Sequence, residues 1–126
     1  MGYRIVDVAD VEPEPDRSSQ CRKLSGPGEL DKMAINHFTP APGEEIPLAY
    51  HYHDDQEEAF YVLDGTLSVE TPEGIFEVEE DELFVVDPGS PQRAFVPDDA
   101  DGPATALAIG APPADGDVHA YEPDDE

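Results

Sequence analysis

Acidic and apolar residues interleave along most of this chain, as in Leu67-Ser68-Val69-Glu70 and Ile75-Phe76-Glu77-Val78. Such alternation marks a strand with one face buried and the other wet. On this pattern strands are predicted over Tyr3–Val8, Met33–Thr39, Pro47–His53, Glu58–Leu63, Thr66–Thr71, Ile75–Glu79, Leu83–Val86, Gln92–Val96 and Ala104–Ile109. Strong turn signals separate them: Asp64-Gly65, Pro72-Glu73-Gly74, Asp87-Pro88-Gly89 and Asp101-Gly102-Pro103. Arg17–Leu30 is polar and, with Gly26-Pro27-Gly28, reads as a loop. Many short strands with almost no helical periodicity predict an all-β sandwich or barrel. Phe60, Val62, Phe84, Val86, Ala94 and Val96 are the candidate core. Beyond Gly110 the chain is Pro-rich and acidic, and only Val118–Tyr121 offers a further edge strand.

A length of 126 residues fits one compact domain. Residues 1–32 are expected to form a strand and polar loop packed on a barrel, 33–110 the barrel, and 111–126 an acidic tail. Six Lys and Arg against 31 Asp and Glu leave a net charge of −25. That balance excludes a nucleic-acid binder working through phosphate neutralisation and disfavours docking on an anionic membrane. No apolar run approaches the roughly 18–20 residues that span a bilayer, and Met1–Asp10 is too charged for a signal peptide. With Cys21 the sole cysteine there is no internal disulfide, and a cytoplasmic setting is expected. The sequence-wide acidity, with only two lysines, resembles that of proteins from salt-accumulating halophilic archaea. In molar salt the Debye length falls to about 3 Å and carboxylate repulsion is screened. Loss of structure in dilute buffer is therefore expected.

Of the four histidines, two stand in Tyr50-His51-Tyr52-His53. In a strand His51 and His53 point to one face and Tyr50 and Tyr52 to the other. Two imidazoles about 7 Å apart along one face can reach a shared ion. Gln56-Glu57-Glu58 follows closely and can add a carboxylate. Two His and a carboxylate with open positions suit Fe(II), Mn, Ni or Zn. His37 has no carboxylate near it in sequence and reads as a core or surface histidine. His119 lies in the acidic tail and reads as solvated. Cys21, flanked by Arg17, Arg22 and Lys23 but with no general base nearby, reads as a structural or incidental thiol.

The stretch Gly43 to Gly65, carrying His51-Tyr52-His53, Glu58 and the closing glycine, resembles the first motif of the cupin superfamily: Gly, a spacer, His-x-His, Glu, six residues, Gly. Glu58 has the six-residue spacing to Gly65, while Glu57 fits the shorter spacing from His53 and stays open as the alternative. Leu83-Phe84-Val85-Val86-Asp87-Pro88-Gly89-Ser90-Pro91-Gln92-Arg93 resembles the second motif. The resemblance, over about residues 33–110, implies a double-stranded β-helix (jelly-roll) barrel with its site in the mouth. Asp81 stands where the second motif opens with Gly, and Gln92 stands where the family's last ligand is a histidine. The implied metal set is His51, His53, Glu58 and Gln92, holding a divalent ion (Fe, Mn, Ni or Zn).

The function this resemblance implies is a metal-dependent, dioxygenase-like enzyme acting on a small organic molecule. The alternatives are a non-catalytic small-ligand-binding cupin and a metal-dependent isomerase or lyase. Between Lys32 and Arg93 there is no Lys or Arg against 15 Asp and Glu. Strand alternation turns Arg93 away from Gln92, so phosphosugar ligands, which need cationic donors, are disfavoured. A homodimer formed through open edge strands is expected.

Overall fold

The computed structural model describes residues 2–14, 20–46, 50–113 and 117–121. Its strands are β1 (Gln20–Lys23), β2 (Ala34–Thr39), β3 (His51–Tyr52), β4 (Glu57–Asp64), β5 (Leu67–Thr71), β6 (Gly74–Val78), β7 (Leu83–Val86), β8 (Arg93–Phe95), β9 (Thr105–Ala111) and β10 (His119–Ala120). A five-stranded sheet runs β1-β2-β9-β4-β7, a three-stranded sheet β6-β5-β8, and a two-stranded ribbon β10-β3. The ladders are antiparallel. Phe38, Phe60, Val62 and Ala106 from the larger sheet meet Leu67, Val69 and Ala94 from the smaller one in a single core. Each large side chain buried there contributes about 1.5–3 kcal/mol. The result is the expected all-β jelly-roll barrel.

Strand positions follow the alternation closely where one face is buried. β7 spans the predicted residues, and β2, β4, β5, β6, β8 and β9 depart from prediction only at their ends. Of the predicted Pro47–His53 strand, 47–49 lie outside the described residues and His51–Tyr52 pair with β10. The edge strand expected at Val118–Tyr121 is thus β10. Five of the six core candidates are buried, whereas Phe84 only packs against the core from its margin.

Two expectations fail. Tyr3–Val8 is not a strand, and Val8–Asp10 forms a 3-10 turn. The alternation is real, with Tyr3 and Ile5 nearly bare while Arg4 donates to the carbonyls of Gly28 and Glu29. No ladder forms on this segment, and alternation alone does not make a strand. Conversely, Gln20–Lys23 within the supposed loop is β1, paired with β2. Its single inward residue, Cys21, gave no period to detect and is fully buried against Phe38's strand.

Two turns explain motif positions. Gly65 ends β4 with φ of 77°, and a Cβ there would lie 2.6 Å from the Pro103 carbonyl oxygen, so only glycine fits. Asp81, where the related motif carries glycine, has φ of 68°. Aspartate tolerates this left-handed conformation better than most residues, and its Oδ1 accepts a hydrogen bond from the Tyr61 hydroxyl at 2.9 Å.

Candidate functional site

His51 sits on β3, and its backbone exchanges two hydrogen bonds with Gln92, at 3.1 and 2.9 Å. This bridge at the start of β8 places Gln92 opposite His51. His53 leaves the ribbon at its far end, and both imidazoles are buried, edge to face with centroids 4.9 Å apart. Glu58 enters from the inner face of β4, level with Val86 on one side and Gly110 on the other. One ligand atom from each of His51, His53 and Glu58 falls within 4.8 Å of the others. Glu57, on the opposite face of β4, is exposed. The fold therefore gathers Glu58 and leaves out Glu57.

The electrostatics of this cluster follow from burial. Desolvation pushes the Glu58 carboxyl up to about 7, against a smaller lowering by the hydrogen bond from Gln92 Nε2 to Oε1, 3.1 Å long. His53 Nδ1 lies 3.0 Å from the backbone carbonyl of Asp117. A carbonyl only accepts, so Nδ1 carries the proton and Nε2 presents its lone pair inward, 3.7 Å from Glu58 Oε1. This is the arrangement that fixes the tautomer of a metal-ligating histidine.

Gln92 is 2% exposed, and its Oε1 has no hydrogen-bond partner while its amide nitrogen serves Glu58. A buried, unpartnered carbonyl oxygen costs about 1–3 kcal/mol. Two imidazoles, one carboxylate and this oxygen, all lining one cavity, form a donor set that suits a divalent ion accepting nitrogen and oxygen. The four predicted residues thus come together.

The cavity measures about 150 Å³, a size that admits a benzene-sized molecule. Its apolar wall includes Phe38, Ile46, Phe60, Ala108 and Val118, and among the described residues no Lys or Arg lines it. Arg93 points away, held by Glu70 at 3.0 Å and Glu45 at 3.1 Å and lying over the Phe95 ring.

Four supporting residues escaped the sequence reading. Asp117 Oδ1 accepts the backbone N–H of Asp54 at 2.9 Å, and Oδ2 accepts those of Asp55 and Gln56 at 2.9 and 3.1 Å. These bonds hold the Asp117 carboxyl below its ordinary range. One residue thereby shapes the turn between His53 and Glu58 and, through its backbone carbonyl, accepts the hydrogen bond from His53 Nδ1. Gln56 is buried beside the cavity and donates from Nε2 to the Pro112 carbonyl at 3.0 Å. Gly110 makes room for it, since a Cβ there would come within 2.5 Å of the Gln56 amide. His119, read as solvated, is instead half-buried, stacked on Tyr52 and 3.0 Å from Asp54 Oδ2. With Asp54 and Asp117 it forms a second, more exposed group of potential ligands, in which His119 Nε2 already contacts Asp54 Oδ2. Only the repeated Asp-Asp and the Asp117–His119 spacing hinted at it, and both were hidden in an acidic background.

The family model for the cupin domain matches residues 36–110. A curated relative, the polyketide synthase CurC of Streptomyces cyaneus, is 32% identical over 88 residues, covering 68% of this chain. The match spans 56% of that relative's length. Among solved structures, the polyketide cyclase RemF of Streptomyces resistomycificus superposes with a TM-score of 0.75 at 21% identity, covering 95% of this chain and 86% of its own. A cupin-superfamily sugar phosphate isomerase of Silicibacter pomeroyi gives 0.74 at 23%, covering 86% and 75%. At these identities the structural likenesses establish the barrel alone. Together with the match over both motifs, they show that this chain belongs to the cupin domain family.

Proposed function

We propose that the barrel mouth holds a divalent metal ion on His51, His53 and Glu58, with Gln92 Oε1 as the fourth protein donor, and that the protein is a metal-dependent enzyme acting on a small oxygen-bearing organic molecule. The observation that carries this reading is the convergence of two buried imidazoles and a buried carboxylate around the unpartnered Gln92 oxygen. A divalent ion there supplies a Lewis acid for a substrate carbonyl oxygen.

The chain's own residues supply the rest. Phe38, Ile46 and Phe60 exclude water and orient an apolar group. His53, locked by the Asp117 carbonyl, keeps Nε2 directed inward. Glu58 would hold the ion as a carboxylate, giving up the proton that its burial favours in the metal-free site. We favour proton transfer next to a carbonyl, as isomerisation, lyase chemistry and cyclisation require, over the dioxygenase-like reading. The names of the polyketide relatives support the same choice. The absence of Lys and Arg from the cavity wall argues against a phosphorylated substrate.

Metal content by mass spectrometry tests the site, on untagged protein purified in molar KCl without chelator. About one equivalent of one transition metal is expected, lost in His51→Ala with the fold retained. The chemistry is then tested with acetylacetone, by deuterium exchange at its central carbon under nitrogen. Exchange that needs His51 supports proton transfer, whereas substrate-dependent oxygen uptake restores the dioxygenase reading. No metal in either protein overturns both and leaves a small-ligand-binding cup.

A further inference from the structure

Two neutral amides line the cavity without belonging to the metal cluster. Asn36 stands on β2, on the face that carries the buried Phe38. Among the described residues its amide has no hydrogen-bond partner. Gln56 is 5% exposed and lines the same cavity. Its Nε2 donates to the Pro112 carbonyl, which can only accept, so the orientation of the amide is fixed. Among the described residues nothing bonds its Oε1. Polar groups left unpartnered on a cavity wall are the ones a bound molecule satisfies.

Strand register sets these amides apart from the metal cluster and close to each other. Ala108 on β9 is level with Asn36 on one side and Phe60 on the other. With strands about 4.8 Å apart, β2 and β4 stand roughly 10 Å from each other across β9. Asn36 therefore faces Glu58 across the cavity, and β9 puts no large side chain between them. The Gln56 amide lies over Gly110, the diagonal cross-strand neighbour of Asn36. Such neighbours are about 7–8 Å apart, a separation that one oxygen hydrogen-bonded to both amides can bridge.

We infer that the substrate of the proposed metal site carries a neutral hydroxyl group at the end remote from the ion, held between Asn36 and Gln56, and that Asn36 selects for it. The inference rests on the metal reading above and adds the substrate's second anchor. A hydroxyl oxygen accepts from Asn36 Nδ2 while its proton goes to Gln56 Oε1, so one group satisfies both amides. A carboxylate has no proton for Gln56 Oε1. Among the described residues the ionisable groups lining the cavity all belong to the metal cluster, so none offsets a charge buried at this end. The substrate class is thus a molecule about the size of a single ring, with an oxygen for the ion at one end and a hydroxyl at the other.

Two probes of nearly equal size test this on the metal-loaded full chain: 4-hydroxybenzohydroxamic acid and 4-methylbenzohydroxamic acid. Both bind a divalent ion through the hydroxamate and differ only in the group presented to Asn36. Dissociation constants are measured by calorimetry in molar KCl, with metal content determined on every sample. The wild type is expected to prefer the hydroxyl probe by roughly 3- to 10-fold. Asn36→Ala should lose that preference and Asn36→Leu should reverse it, with metal content unchanged. Should one variant misfold by circular dichroism, the other decides. An Asn36 with only a structural role would leave the ratio of the two affinities as it is, which overturns the inference. Equal affinities in the metal-loaded wild type, or no binding of either probe to it, overturn the inference and leave the metal reading standing. Wild-type protein without metal overturns that reading and the inference with it.

Discussion

Glu58 should make the metal-free protein less stable as pH rises, and the size of the effect follows from its burial. The carboxyl moves from 4.5 to about 7 on folding, chiefly through desolvation. At about 1.4 kcal/mol for each pH unit, the difference amounts to roughly 2–4 kcal/mol. The folded value is the raised one, so the folded state binds the proton more tightly than the unfolded state. Below pH 4.5 both states are protonated and the group costs nothing. The penalty grows as pH climbs through the window between 4.5 and 7 and is complete above it. Glu58→Gln keeps a partner for the Gln92 amide and never ionises. Urea unfolding of chelator-treated protein in molar KCl, at fixed pH values from 5 to 8, should therefore show the two proteins converging at low pH. At pH 8 the variant should be more stable by roughly 2–4 kcal/mol. Parallel curves across this range would refute the claim that a desolvated carboxylate occupies the site.

Three further outcomes are expected. Metal binding must displace the Glu58 proton, so affinity should rise about tenfold per pH unit below 7 and level off above it, with proton release measurable by calorimetry in buffers of different ionisation enthalpy. Asp117→Ala removes three caps from the turn between His53 and Glu58, and should weaken metal affinity about 10- to 100-fold in a chelator competition while leaving most of the fold intact. The charge of −25 should make the melting temperature climb steeply with KCl, and a melting point unchanged in dilute buffer would sink the salt-adapted reading.

The candidate metal ligands were readable because most of them are local. His51, His53 and Glu58 lie within eight residues, and the period of a strand decides which side chains share a face. Alternation also favours Glu58 over Glu57 once β4 is known to begin there. Asp117 was not readable, since it contacts residues 61 to 63 positions away and an aspartate in an acidic tail carries no local signal. The N-terminal segment shows the opposite failure. Its alternation is genuine, yet a strand also requires a neighbour, and neighbours are set by topology. β1 was missed because one inward cysteine between polar residues has no period.

The small side chains that β9 turns inward set the depth of the cavity. Ala108 and Gly110 line the cavity together with the candidate ligands, as does Ala34, and none of the three fills it with a large side chain. On the proposed reading, the size of molecule the cavity admits is governed on a strand that supplies none of the candidate metal ligands. Selection, or a designer, can enlarge or shrink what the barrel accepts at position 108 without replacing any candidate metal ligand. Gly110 is the exception, because the Gln56 amide already occupies the space that any larger residue would need.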